Sequence, residues 1–157
     1  MKRQILFIVL MVLASPLFAQ DILLTRNGDE MEIKLDRITT DKVYFTNLEK
    51  KRLGLQIAPT DFVYMIKTEK RGTIFFTEAG EQMTHPNVKV DKKDEVVYLM
   101  SGQEIVAYDL NMNKDNVTFK LKDKKSAPVS QYDKKDVFMI RHSDGSKDLL
   151  AKPYVSK

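Results

Sequence analysis

Few residues in this chain are of a type that does chemistry, and their spacing argues against most of it. The chain has two histidines, His85 and His142, and no cysteine. A zinc site needs three or four converging ligands. His85 precedes Pro86 in a polar stretch and His142 follows an apolar run, and neither has a second ligand at metal spacing. Glu30 and Glu104 stand in matching places, two residues after Gly28 and Gly102. A pair of carboxylates about 5–5.5 Å apart, or about 6.5–9.5 Å apart, serves glycoside hydrolysis. Such a pair works only if two environments separate the pKa values, and matching positions offer matching environments. Both glutamates are therefore expected as polar residues beside a hairpin. No serine sits in a nucleophile-elbow context and no glycine-rich phosphate loop occurs. Asn116-Val117-Thr118 reads as a chance glycosylation sequon. The expectation is a non-enzyme with no catalytic residue, no metal and no cofactor.

Residues able to bind are easier to find. Strand alternation sends about half of the chain's aromatic residues outward, Tyr44, Tyr64, Tyr108 and Tyr132 among the candidates. A tyrosine combines an apolar body with a polar tip, so these four are candidates for lining a groove for a peptide or a glycan. Two basic runs accompany them, Lys50-Lys51-Arg52 and Lys122-Asp123-Lys124-Lys125. Their solvated-loop reading is the plain one. Their functional reading makes Lys50, Lys51, Lys124 and Lys125 contacts for phosphate, anionic headgroups or acidic glycan.

The N-terminus sets the compartment. Lys2 and Arg3 precede an apolar run from Ile5 to Leu13, Ser15-Pro16 breaks it, and Ala19 offers a small-residue cleavage point. That is the pattern of a secretory signal peptide over residues 1–19. The run is short of the roughly 20 apolar residues that a membrane span needs. The whole chain carries a net charge of +4, and removing Lys2 and Arg3 leaves 24 basic against 22 acidic residues, or +2. A nearly neutral exported protein gives no electrostatic footprint for nucleic acid. The expected location is periplasmic or extracellular, soluble or peripheral to an outer membrane, and not membrane-spanning. Without disulfides the fold must rest on its core, which a chain of this length can supply.

The elements that must position these residues come as a repeat. Residues 21–31 and 95–105 match at an offset of 74 positions, with Gly28 opposite Gly102. The same offset sets Val43 and Phe45 against Val117 and Phe119, Lys50-Lys51 against Lys124-Lys125, and residues 63–67 against 137–141. Each unit reads as β. Asn27-Gly28 predicts a hairpin with a type I′ turn. Met31, Ile33 and Leu35 alternate with Glu32, Lys34 and Asp36, the mark of a half-buried antiparallel strand. Strands follow at 43–45 and, more loosely, 53–57. After a turn at 59–61 comes an aromatic and β-branched strand at 62–66, then a turn and a strand at 73–76. The chain thus divides into residues 1–19 as signal peptide, 20–78 as unit one, 79–94 as linker with one extra strand at 87–90, and 95–157 as unit two. The fold class is all-β: two tandem small antiparallel SH3/Sm-like barrels or curled sheets after a signal peptide.

The combination of an acidic residue, alternating apolar residues and Asn-Gly, then an alternating strand, then a short apolar segment before a glycine turn resembles a set of uncharacterised exported bacterial β-repeat proteins. It is carried by residues 21–33 with 61–72, and again by 95–105 with 135–145. The resemblance implies an envelope or secreted location and transfers no catalytic residue. The expected function is a non-enzymatic envelope module that binds a protein or serves as a scaffold, with a sheet edge near Ile74 to Phe76 open to a partner strand. The alternative is a module binding glycan or an anionic envelope polymer.

Overall fold

The computed structural model describes residues 20–122, 128–152 and 154–155, so the signal-peptide segment lies outside the described residues. Thirteen strands, two short 3-10 turns and no α-helix make up the described chain. Unit one contributes β1 (Asp21–Thr25), β2 (Glu30–Ile38), β3 (Lys42–Asn47), β4 (Leu55–Pro59), β5 (Val63–Thr68), β6 (Gly72–Phe76) and β7 (Gln82–His85). Unit two contributes β8 (Glu95–Leu99), β9 (Glu104–Met112), β10 (Asn116–Leu121), β11 (Ser130–Asp133), β12 (Val137–Arg141) and β13 (Lys147–Leu149). They form two antiparallel sheets, in the orders β4-β3-β2-β1-β5-β6-β7 and β11-β10-β9-β8-β12-β13. The extra strand of the connecting stretch is Gln82–His85 and not 87–90; it pairs with β6, Thr73 opposite His85. Among the described residues no helix is long and apolar enough to cross a membrane.

The hairpin turns differ from the type I′ expectation. Gly28 has φ 82° whereas Asn27 is not left-handed, and Gly28 N–H donates to the Thr25 carbonyl at 3.0 Å. A type I turn followed by one left-handed residue is the three-residue hairpin loop. Gly102 repeats it at φ 80°, donating to the Leu99 carbonyl.

Neither sheet closes into a barrel. Each curls around its own core, Leu23, Ile33, Val43, Phe45, Ile66 and Phe76 in unit one, and Val97, Leu99, Val117, Phe119, Val137 and Ile140 in unit two. A third core lies between them, from Leu24, Tyr64, Met65, Phe75, Val96, Tyr98, Phe138 and Met139. The central strands β1, β5, β6, β8 and β12 thus bury both faces. Their second apolar face is covered by the other unit, which does by packing what closure does in a barrel.

A bulge aims the contact. Thr25 pairs with Val63 but Leu24 with Met65, leaving Tyr64 as the extra residue. Phe138 is the extra residue in β12, between the Val137 and Met139 pairings. The inserted residue puts two consecutive side chains on the same face. Tyr64 and Phe138 are equivalent in the repeat, and their rings stack on each other with centroids 3.8 Å apart and planes 9° apart. The Tyr64 hydroxyl donates to the Leu99 carbonyl at 2.6 Å, which satisfies it within the core.

The two units therefore meet through like surfaces, as the halves of a two-fold dimer do. A methyl group at Gly28 would approach Met139 and Leu149, 3.5 and 3.8 Å away, whereas one at Gly102 would run into the ring of Phe75. Phe75 and Leu149 stand at the same repeat position. The turn of each unit thus rests on the β6-type strand of the other.

Candidate functional site

The structure separates the eight residues expected to bind. Tyr64 is fully buried in the shared core, so it is a packing residue and not part of a surface groove. Tyr132 is half-buried against the second core, its ring 5.6 Å from Phe119 and nearly parallel to it. Tyr108 is exposed on β9, opposite Lys120. Lys124 and Lys125 lie outside the described residues. Tyr44 lies on β3, and Lys50 and Lys51 lie in the turn that follows that strand.

That part of the sheet is built as follows. Asn47 ends β3, and its side-chain oxygen accepts from the Glu49 and Lys50 amides at 2.9 Å each. This tight turn starts a 3-10 segment, Lys51–Leu53, which places Lys50, Lys51 and Arg52 on the surface. Gly54, at φ 64° and ψ −148°, then redirects the chain into β4. β4 is an edge strand, paired only with β3. Its alternation is inverted relative to a solvated edge: Ala58 points into the core, while Leu55 and Ile57 are 55% and 58% exposed. Leu53, 63% exposed, extends the apolar stripe toward the basic turn. Ile57 sits opposite Tyr44, and Tyr44 carries the Arg37 guanidinium 4.1 Å above its ring. Lys42 faces Pro59 at the end of the same ladder.

Edge strands in soluble proteins are usually blunted by charge, proline or a bulge. Pro59 blunts one end of β4, but its middle presents apolar side chains and unpaired backbone groups. Tyr44, Lys50 and Lys51 are among the residues expected from the sequence to bind, whereas Leu53, Leu55 and Ile57 are not. Their alternation was the signal, obscured because Gly54 and Pro59 made the segment look irregular. The edge expected at Ile74 to Phe76 is not an edge, because β6 lies between β5 and β7.

The two glutamates do converge on one small cleft between the units, about 100 Å³, together with Lys67, Tyr98 and Arg141. Each is neutralised. Glu104, 8% exposed, takes Lys67 Nζ on both oxygens at 2.8 Å. Glu30 pairs with Lys147 at 3.2 Å. Burial pushes the Tyr98 hydroxyl well above its usual range, with Glu104 adding to the shift. His142 is held by Asp148 at 2.9 Å, and His85 lies on edge strand β7. Among the described residues no group of three or more His, Asp or Glu side chains is arranged to hold a metal ion. No protein-family model, curated protein or solved structure matches the chain.

Proposed function

We propose that this chain is an exported, non-enzymatic envelope module that binds protein by taking a partner strand onto β4. The observation that carries this reading is the unpaired edge of β4, with Leu55 and Ile57 outward beside Lys50, Lys51 and Arg52. In strand addition, main-chain hydrogen bonds supply affinity and alternate side chains supply selectivity. The occupant that fits is an extended segment with apolar residues at alternate positions along β4 and acidic residues at the end beside Lys50, Lys51 and Arg52. Its apolar side chains cover Leu55 and Ile57, and its carboxylates meet the basic turn. The leader-like residues 1–19 support export, and the resemblance to exported bacterial β-repeat proteins of curled SH3-like sheets supports the envelope setting.

The test uses a capped eight-residue peptide with two Glu at each end of a Val-Thr-Val-Thr centre. Binding is expected to be saturable, to slow amide exchange across 55–58, and to weaken about tenfold or more in Leu55→Lys/Ile57→Lys, as loss of two buried aliphatic contacts implies. Unchanged exchange in β4 would sink the strand-addition reading. Equal binding of polyglutamate, lost between low and moderate salt, would replace it with the anionic-polymer alternative.

A further inference from the structure

A second and larger cleft lies between the units, about 530 Å³ in volume; it is lined in part by Phe138 of the Tyr64–Phe138 stack and shares no residue with the β4 site. Phe138 and Met100 supply apolar lining, and Arg26, Glu78, Lys152 and Tyr154 supply polar groups. Such a volume lies within the range of small-ligand sites, about 300–1,000 Å³.

Arg26 is the unusual member. It is only 8% exposed, yet no carboxylate among the described residues lies within 4.0 Å of it. Its Nε donates to the Asp61 carbonyl at 2.9 Å and Nη2 to the Phe76 carbonyl at 2.6 Å. These bonds fix the plane of the guanidinium. Nη1 has no partner among the described residues and is not sealed from solvent. A buried charge without a counter-ion is strongly unfavourable unless something neutralises it. Burial lowers the Arg26 pKa, with Glu78 and Asp61 opposing that shift. Asp61 accepts from the Tyr154 hydroxyl at 3.2 Å and keeps its negative charge. Lys135, which also lines the cleft, is shared with Asp133 at 3.2 Å. The charged side chains that line the cleft are then Arg26, Lys135 and Lys152 against Asp61 and Glu78, an excess of one positive charge among them. That excess matches one carboxylate and disfavours di- and trianions.

We propose that this cleft binds a monocarboxylate with an apolar or aromatic body, its carboxylate on Arg26 and its body against Phe138 and Met100. The carboxylate comes either from a free small acid or from the C-terminus of a peptide.

The probes are N-acetylphenylalanine, its amide, and Ala-Ala-Phe with free or amidated C-terminus, titrated into the chain by calorimetry and by NMR of the Arg26 side-chain Nε–H. Both free acids are expected to bind saturably and to move that resonance, with the amides weaker by about tenfold or more. Tighter binding of the peptide acid assigns the ligand as a C-terminus, and tighter binding of the acetylated residue assigns a free acid. Arg26→Met, which gives unit one the residue that unit two has at Met100, is expected to abolish binding. Because that variant removes two core hydrogen bonds, Lys152→Glu on the rim is tested beside it, with an expected loss of about threefold to tenfold. Acid and amide binding alike, a silent Nε–H resonance, or undiminished affinity in Lys152→Glu would each overturn the proposal.

Discussion

Truncating Phe138 to alanine should destabilise both units at once. The ring is buried, and its partner Tyr64 is fully enclosed on the other sheet at a centroid distance of 3.8 Å. Loss of a buried phenylalanine costs about 3–5 kcal/mol, from lost transfer energy and the cavity left behind. Native stabilities of domains run about 5–15 kcal/mol, so a fifth or more of the total is at stake. Tyr64→Ala should fall in the same range, since the same stack is removed from its other side. The double variant should cost less than the sum of the two by about 0.5–1.5 kcal/mol, the coupling typical of an aromatic pair. Tyr64→Phe is the control. It removes the hydroxyl that donates to the Leu99 carbonyl, but that carbonyl also accepts from Gly102 N–H at 2.8 Å. No acceptor is orphaned, so the cost should be about 0.5–1.5 kcal/mol. The assay is equilibrium unfolding in urea, followed in parallel by far-ultraviolet circular dichroism and tyrosine fluorescence. One transition is expected for every variant, with a shifted midpoint and an unchanged slope. Two separate transitions in the unsubstituted chain, or a cost below about 1 kcal/mol for Phe138→Ala, would refute the shared core as the centre of stability.

Gly102→Ala should destabilise well beyond the roughly 1 kcal/mol of a left-handed alanine, because its methyl group meets the Phe75 ring; Gly28→Ala, at a matching φ but with only ordinary contacts, should stay near that value. Urea midpoints of the two variants decide it. Lys67→Met should cost about 3–5 kcal/mol by leaving the Glu104 carboxylate buried without its partner, and the paired Lys67→Met/Glu104→Gln variant should recover part of that loss in the same unfolding assay. Asp94 is held below the usual carboxylate range by the Lys122 ammonium and by the Asp91 amide. A lowered folded-state pKa gives stability that is full above the unfolded value of about 3.9 and is lost as pH falls through the folded value. Asp94→Asn should therefore be less stable than the parent near neutral pH, and the difference should shrink below about pH 4.

The strands were legible because each unit writes them twice over. The alternation of Met31, Ile33 and Leu35 with charged neighbours, and the apolar run at 63–66, named β2 and β5 to within a residue or two. What the alternation hid was the bulge. Tyr64 followed by Met65 reads as a simple strand, yet one inserted residue turns both side chains to the same face. Tyr64 reads as a surface tyrosine because it points away from unit one's own core, and it is buried because unit two covers that face. Closure was also illegible. The apolar side chains that suggested a barrel interior belong to two cores, one inside each curl and one between them, and local pattern does not distinguish them. The charged residues of the larger cleft gave no signal, because Arg26, Glu78 and Lys152 are distant in sequence and converge only through the packing of the units.

The repeat also separates what the fold needs from what it leaves free to vary. At the shared core, equivalent positions stay apolar: Leu24 and Tyr98, Tyr64 and Phe138, Met65 and Met139, and Phe75 with Leu149. In the smaller cleft, equivalent positions keep their charge, Glu30 with Glu104 and Lys67 with Arg141. Like charges related by an approximate two-fold axis produce little net field across that axis. The larger cleft breaks the rule at each equivalent pair: Arg26 corresponds to Met100, Asp61 to Lys135, and Glu78 to Lys152. Opposite charges on the two walls give that cleft a direction, which a symmetric pair of units would lack. A directed field orients a ligand with a charged end and an apolar end. Core packing alone would be served equally well by a symmetric cleft. Neutralising one wall with Glu78→Gln should therefore cost no more than about 1 kcal/mol in the urea midpoint, since Glu78 is exposed and in no ion pair among the described residues, while strengthening the affinity of N-acetylphenylalanine and altering its salt dependence. An unchanged affinity alongside an unchanged midpoint would show that the asymmetry carries no function.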